Sequence, residues 1–94
     1  MDDSIVDNPV DHRFQLAVGE SIAAAYYRLK DGKVILTHTE VPQELSGQGI
    51  GSKLAHGVFR RIRESGRKVE IKCSFMASWA ARHPEVNDLV VART

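Results

Sequence analysis

The stretch Ser46-Gly47-Gln48-Gly49-Ile50-Gly51-Ser52-Lys53 decides how the rest of the chain is read. It stands between a β-like run, Val34 to Val41, and an amphipathic helix expected to begin at about Ile50. Three glycines at alternate positions let backbone N–H groups converge, and a helix N-terminus behind them adds partial positive charge. Such a segment suits a phosphate group. Spacing narrows the choice. A Walker loop needs Gly-x-x-x-x-Gly-Lys-Ser/Thr, but the residue five past Gly47 is Ser52. The dinucleotide fingerprint Gly-x-Gly-x-x-Gly fails too, because the residue three past Gly49 is again Ser52.

Downstream of the loop, Ile50, Leu54, Val58 and Ile62 recur four apart, with Ala55 and Phe59 widening the stripe, which predicts a helix packed on a sheet through one face. Gly66 is placed to end it. Lys68 to Phe75 reads as a strand, Val69 and Ile71 alternating with charge, and Met76 to Arg82 as a second helix stopped before Pro84. Val86 to Ala92 is open between helix and strand. Upstream, Phe14, Leu16 and Val18 alternate as a first strand, and Gly19-Glu20 turns the chain into a second, Ile22 to Leu29. Lys30-Asp31-Gly32-Lys33 is a tight hairpin with type I′ chemistry, leading to the third strand, Val34 to Val41, which Pro42 stops. Residues 1–12 are acidic and without period, and are expected to be a flexible leader ahead of a folded domain of residues 13–94. The order is β-β-β-α-β-α, an α+β fold with a mostly antiparallel sheet. Its third and fourth strands flank a crossover helix and so run parallel.

At 94 residues, with 43% hydrophobic and 27% charged, the chain is sized for one small core. A net charge of +1 carries no nucleic-acid signature. Arg60, Arg61, Arg63, Arg67, Lys68 and Lys72 make the second half locally basic, either as a solvated helix face or as an attraction for an anionic cofactor. The interleaved aromatics of an RNA surface are missing there. One cysteine excludes an internal disulfide and motifs with two cysteine ligands, and His12, His56 and His83 show no ligand spacing with His38 and Glu40, so no metal is expected. No apolar run nears the roughly 18 residues of a membrane span and no signal-peptide pattern is seen, which makes the cytoplasm the expected location.

Ser46-Gly47-Gln48-Gly49-Ile50-Gly51 resembles the acyl-CoA pyrophosphate loop of the GNAT superfamily of N-acetyltransferases, Arg/Gln-x-x-Gly-x-Gly/Ala. Both diagnostic glycines fit. Ser46 departs at the first position, where Gln48 and Lys53 are near enough to supply a side-chain donor. Leu36-Thr37-His38-Thr39-Glu40-Val41-Pro42, Cys73-Ser74-Phe75 and Arg82-His83-Pro84-Glu85 follow the small single-domain GNAT-like proteins, over Phe14 to Val90. The resemblance implies a reduced GNAT fold without the usual N-terminal helical pair and final hairpin. It also implies acetyl-CoA or coenzyme A as co-substrate, with acetyl transfer to an amine of a small molecule or a protein. By carry-over, the backbone N–H near Val41 would hold the acetyl carbonyl, while Gly47, Gln48, Gly49, Ile50, Gly51, Ser52 and Lys53 would hold the pyrophosphate. A monomer or weak dimer is expected, with no membrane or nucleic-acid partner.

Catalysis by such an enzyme needs a base for the amine, a donor to the thioester carbonyl and a proton for the departing thiolate. His38 and Glu40 stand two apart on a strand, share a face and are the candidate base pair, or else an exposed polar pair. Cys73 is expected at the end of the fourth strand, where the resemblance puts it beside the thioester. There it is either a covalent acyl acceptor or a small buried hydrophobe. Superfamily members commonly protonate the thiolate with a Tyr on the following helix; here that helix carries Trp79, leaving Cys73, a water or solvent for the task. Trp79 and Phe75 suit the core or an apolar wall for pantetheine. His83 suits a helix cap, and Tyr26 and Tyr27 suit strand packing, one inward and one outward. A CoA-binding or interaction module without catalysis is the alternative function.

Overall fold

In the computed structural model, which describes residues 5–45 and 47–91, four antiparallel strands come first. They are β1 (Ile5–Asn8), β2 (Arg13–Val18), β3 (Ser21–Lys30) and β4 (Lys33–Glu40). A 3₁₀ turn, Gln43–Leu45, leads through the glycine loop into α1 (Ile50–Ser65), and then come β5 (Lys68–Ile71), α2 (Ser74–Ala81) and a second 3₁₀ turn, Pro84–Val86. Strand order in the sheet follows chain order. β5 returns parallel to β4, from Lys33 opposite Lys68 to Leu36 opposite Ile71, with α1 as the crossover. The β3–β4 hairpin has positive φ at both Asp31 (55°) and Gly32 (77°), the type I′ geometry expected from Asp-Gly.

The leader expected over residues 1–12 is a correction. Ile5–Asn8 is an edge strand, with Ile5 opposite Leu16 and Asn8 opposite Arg13, so the folded unit reaches back at least to Ile5. Ile5 is fully buried. Arg61 of α1 donates from Nε and Nη2 to its carbonyl at 3.1 and 2.7 Å. Gly57 makes room for it: a Cβ there would lie 2.1 Å from Ile5 Cγ1. A four-residue strand with one inward apolar side chain has too little alternation to be seen in the sequence alone.

Two other boundaries move. β5 stops at Ile71, not Phe75, and α2 starts at Ser74; the Lys72 amide makes the last bond to β4, at the Leu36 carbonyl, and Cys73 has no pairing with β4. The open segment near the C-terminus resolves into a 3₁₀ turn and then extended backbone, Val90 bridging Val69 in parallel; residues 92–94 lie outside the described residues.

Both helices lie on one face of the sheet. Phe14, Leu16, Ala25, Tyr27, Val34, Leu36 and Val69 meet Leu54, Val58, Phe59 and Ile62 of α1 there. Trp79 of α2 is buried, stacked on Phe59 at 5.3 Å and on His83 at 3.7 Å, and donates from Nε1 to Ser52 Oγ at 3.1 Å. His83 Nδ1 lies 2.7 Å from the Trp79 carbonyl. A carbonyl only accepts, so Nδ1 carries the proton and His83 caps α2. Tyr27 points into the core and donates to Asp7 Oδ1 at 2.5 Å, while Tyr26 faces the other side, accepting from Arg13 Nη1 at 3.1 Å. Burial first, then the Asp7 hydrogen bond and charge, push the Tyr27 phenol from 10.0 up to about 12.

Two outcomes follow from this packing. Gly57→Ala gains about 1 kcal/mol of helix propensity but overpacks Ile5 by about 1–3 kcal/mol, so the melting temperature should fall by several degrees. An unchanged or raised melting temperature would show that Ile5 is not seated against α1. In alkali, the folded chain keeps the Tyr27 proton longer than the unfolded chain does. The resulting stabilisation is therefore complete below the ordinary phenol range and is lost as pH rises through about 12. Phenolate absorbance should show the delayed step, and Asp7→Asn should move it to lower pH.

Candidate functional site

Pairing along β3 and β4 is regular until Tyr27 meets Leu36; the next residue back, Tyr26, then meets His38, so Thr37 is an extra residue in β4. Its hydroxyl donates to the Tyr26 carbonyl at 3.3 Å. A bulge of this kind bends a strand and reverses its side-chain alternation. Leu36 therefore points to the helices while His38, two residues on, points to the opposite face. The bulge also falls where the β4–β5 ladder ends. Lys72 N still donates to the Leu36 carbonyl at 2.9 Å, and beyond it the two parallel strands part.

The two faces of this parting differ. On the helix side, Thr39 Oγ1 and Cys73 Sγ lie 3.0 Å apart and close the gap between β4 and α2. Cys73 is buried at 9% exposure, with extended backbone at the N-cap position of α2, and thus stands one step past the strand that was expected to hold it. On the open side, His38 Nε2 lies 3.3 Å from Glu40 Oε2, both side chains 60% exposed. Tyr26 stacks on His38 at 5.9 Å, and Arg13 holds Tyr26 from β2. One row of side chains, Arg13, Tyr26, His38, thus crosses three strands on a face that neither helix covers.

The glycine loop sits where β4 leaves the sheet. Leu45 is buried and its amide donates to the Pro42 carbonyl at 2.9 Å, which anchors the start of the turn. Ser21 donates to Glu44 Oε2 at 2.6 Å and holds that carboxyl below its ordinary range; Gln48 donates back to the Glu44 carbonyl at 3.3 Å. Gly47 and Gly49 have φ of 80° and 71° with nothing within 4 Å of a would-be Cβ, so backbone conformation, not space, requires glycine there. Gly49 is the N-cap of α1 and makes no side-chain capping bond. The Lys53 amide makes the bond to Gly49 O, at 3.0 Å, so the amides of Ile50, Gly51 and Ser52 precede the intrahelical ladder and have no backbone acceptor among the described residues. The first turn holds no acidic residue, and Lys53 is exposed beside it. Three outward amides, a helix dipole and a lysine without a competing carboxylate can hold a phosphate.

The structure brings together His38 with Glu40, and the loop residues Gly47 to Ser52 with one another. It separates His38 and Glu40 from Cys73, which lie on opposite sides of the strand. Val41 is one residue past the last paired residue of β4 and half-buried. Lys53 has its amide inside the helix and offers only its ammonium group, Gln48 is exposed with its side-chain amide donating to the Glu44 carbonyl, and Ser52 accepts from Trp79. Ser46, at the first motif position, lies outside the described residues. Thr39 was missed. Its position between His38 and Glu40 places it on the other face by simple alternation, and that was the available signal.

With this geometry in hand, comparison with known proteins is specific. The family model for the GCN5-related N-acetyl-transferases matches residues 13–89. No curated protein matches the chain at a significant level. Among solved structures, the NMR solution structure of a GCN5-like candidate N-acetyltransferase from Staphylococcus aureus is similar at 27% identity, with a TM-score of 0.71, over 96% of this chain and 89% of that one. The parted parallel strands, the glycine loop at the head of α1 and a match across most of the chain agree: the protein belongs to the GCN5-related N-acetyltransferase family.

Proposed function

We propose that the chain transfers an acetyl group from acetyl-CoA to an amine acceptor, a small molecule or a protein amine, in the cytoplasm. The observation that carries this is the glycine loop at the head of α1, with its outward amides, following a β4 strand that bulges at Thr37 where its parallel ladder with β5 ends.

In this mechanism the donor comes from the helix side. Gly47, Gln48, Gly49, Ile50, Gly51 and Ser52 surround the pyrophosphate with backbone, and Lys53 adds its ammonium charge. The pantetheine arm follows the gap, with the Val41 N–H aimed at the thioester carbonyl oxygen, where negative charge grows as the tetrahedral intermediate forms. The acceptor comes from the open face. Glu40, hydrogen-bonded by His38, takes a proton from the amine, whose nitrogen attacks the carbonyl carbon. A C–N bond forms, the C–S electron pair leaves on sulfur, and the CoA thiolate takes a proton from Cys73, which solvent then replenishes. Thr39 suits this role for Cys73, because its hydroxyl can donate to the thiolate left behind. On this reading donor and acceptor approach from opposite faces of the sheet and meet where the β4–β5 ladder ends.

Acetyl-CoA should raise the melting temperature, and a panel of amines should release free CoA. Gly49→Glu should abolish both, through strain at φ 71° and a carboxylate at the anion site. Glu40→Gln should lower kcat/KM by about 10²–10⁴ with the thermal shift retained. Intact mass after incubation tests the role of Cys73: an acetyl adduct lost in Cys73→Ala and discharged by amine would replace direct transfer with a two-step transfer through that sulfur. A thermal shift without turnover on any amine would leave a CoA-binding module, and no thermal shift at roughly millimolar acetyl-CoA would overturn the proposal.

A further inference from the structure

A cavity of about 280 Å³ lies beneath the last turn of α1, at the end of the sheet away from the glycine loop. β4 runs from Val34 at this cavity to Glu40 at the candidate acyl site, a separation of roughly 20 Å at about 3.3 Å per residue. Its floor is apolar, from Phe14 and Ile62. Its charges are divided, and the Glu64 carboxylate that also lines it is paired with Arg60 at 3.5 Å. Arg61 is fixed by two bonds to the Ile5 carbonyl, which use Nε and Nη2 and leave Nη1 over. Arg67 follows Gly66, whose left-handed φ of 78° turns the chain back under α1, and its side chain makes no hydrogen bond or ion pair among the described residues. Across from the two guanidinium groups stands Asp7. One carboxylate oxygen accepts from buried Tyr27, and the other makes no hydrogen bond among the described residues. Tyr27 keeps its proton far into alkali, with Arg67 near enough to act against that shift, so the phenol stays a donor and holds Asp7 in place.

We propose that this cavity binds a free α-amino acid with an apolar side chain, as a zwitterion. A carboxylate fits the planar fork of Arg67, with Arg61 Nη1 beside it, and an ammonium fits the open oxygen of Asp7. The side chain would cover Phe14 and Ile62. A simple anion would leave Asp7 unanswered and place like charges together; a simple cation would do the same to the arginines. This site is independent of the acyl-transfer proposal and shares no residue with it.

An amide-resolved NMR titration of the full chain decides it, with L-leucine, leucinamide and isocaproate as probes. Leucine should shift the amides of Asp7, Ser65, Gly66 and Arg67 in a saturable way and leave Gly49 and Gly51 unmoved. Leucinamide, lacking the carboxylate, and isocaproate, lacking the ammonium, should each bind at least about tenfold more weakly, as expected for loss of one charge-assisted contact. Arg67→Gln, an exposed change that leaves the core intact, should weaken leucine by a similar factor. Absence of saturable shifts, shifts centred on the glycine loop, isocaproate binding as tightly as leucine, or leucine binding unchanged in Arg67→Gln would each overturn the proposal.

Discussion

One extra residue in β4 governs the arrangement of this small domain. While β4 stays in register, it is bound on one side by β3 and on the other by β5, and its inward residues, Val34 and Leu36, pack under α1. At Thr37 the register with β3 slips by one, the strand bends, and β5 loses its partner after Ile71. Three consequences come from that single step. The ladder ends at the C-terminal side of two parallel strands, the place where sheets of this kind leave room for ligands. His38 and Glu40 turn to the bare face. Thr39 turns to the helix face, where it meets Cys73 at 3.0 Å. Without the bulge, continuous alternation would aim His38 and Glu40 at the core and Thr39 at solvent.

Glycine meets two different demands in this domain, one of backbone conformation and one of space. Gly47 and Gly49 carry positive φ so that the chain can leave β4 and enter α1 in a few residues, which brings the helix end to the gap. Gly57 is in the middle of α1 and forgoes helix propensity so that Ile5 can seat against the helix. The first pair makes the candidate donor site, and the last closes the far edge of the core. α2 is held to α1 by Trp79, between Phe59 and His83, with its indole N–H satisfied by Ser52 in the first turn of α1. The loop's helix is thus braced by the helix that begins at Cys73.

Much of this was legible in the residues because the signals were local. The Asp31-Gly32 hairpin, the four-residue stripe of α1, the stop at Gly66 and the glycine loop each depend on neighbours a few positions away, and each stands where expected. His83 as a helix cap and the Tyr26 and Tyr27 division also follow from local pattern. What escaped depends on partners distant in sequence. β1 exists because Ile5 finds Leu16, Gly57 and Arg61, and no four-residue window contains them. The end of β5 is set by the bend in β4, so Cys73 moved from strand to helix cap for a reason located at Thr37. Thr39 was hidden for the opposite reason, lying between two residues whose chemistry is more conspicuous.

In the proposed mechanism the bulge divides the site into a donor side under the helices and an acceptor side on the opposite face of the sheet. An amide-resolved NMR titration with coenzyme A tests it most directly. Shifts are expected at Val41, at Gly47 to Ser52 and at Lys72 to Ser74, with Arg13, Gln15 and Tyr26 on the opposite face unmoved. Shifts centred on Arg13, Tyr26 and the face they share, with the glycine loop silent, would contradict it.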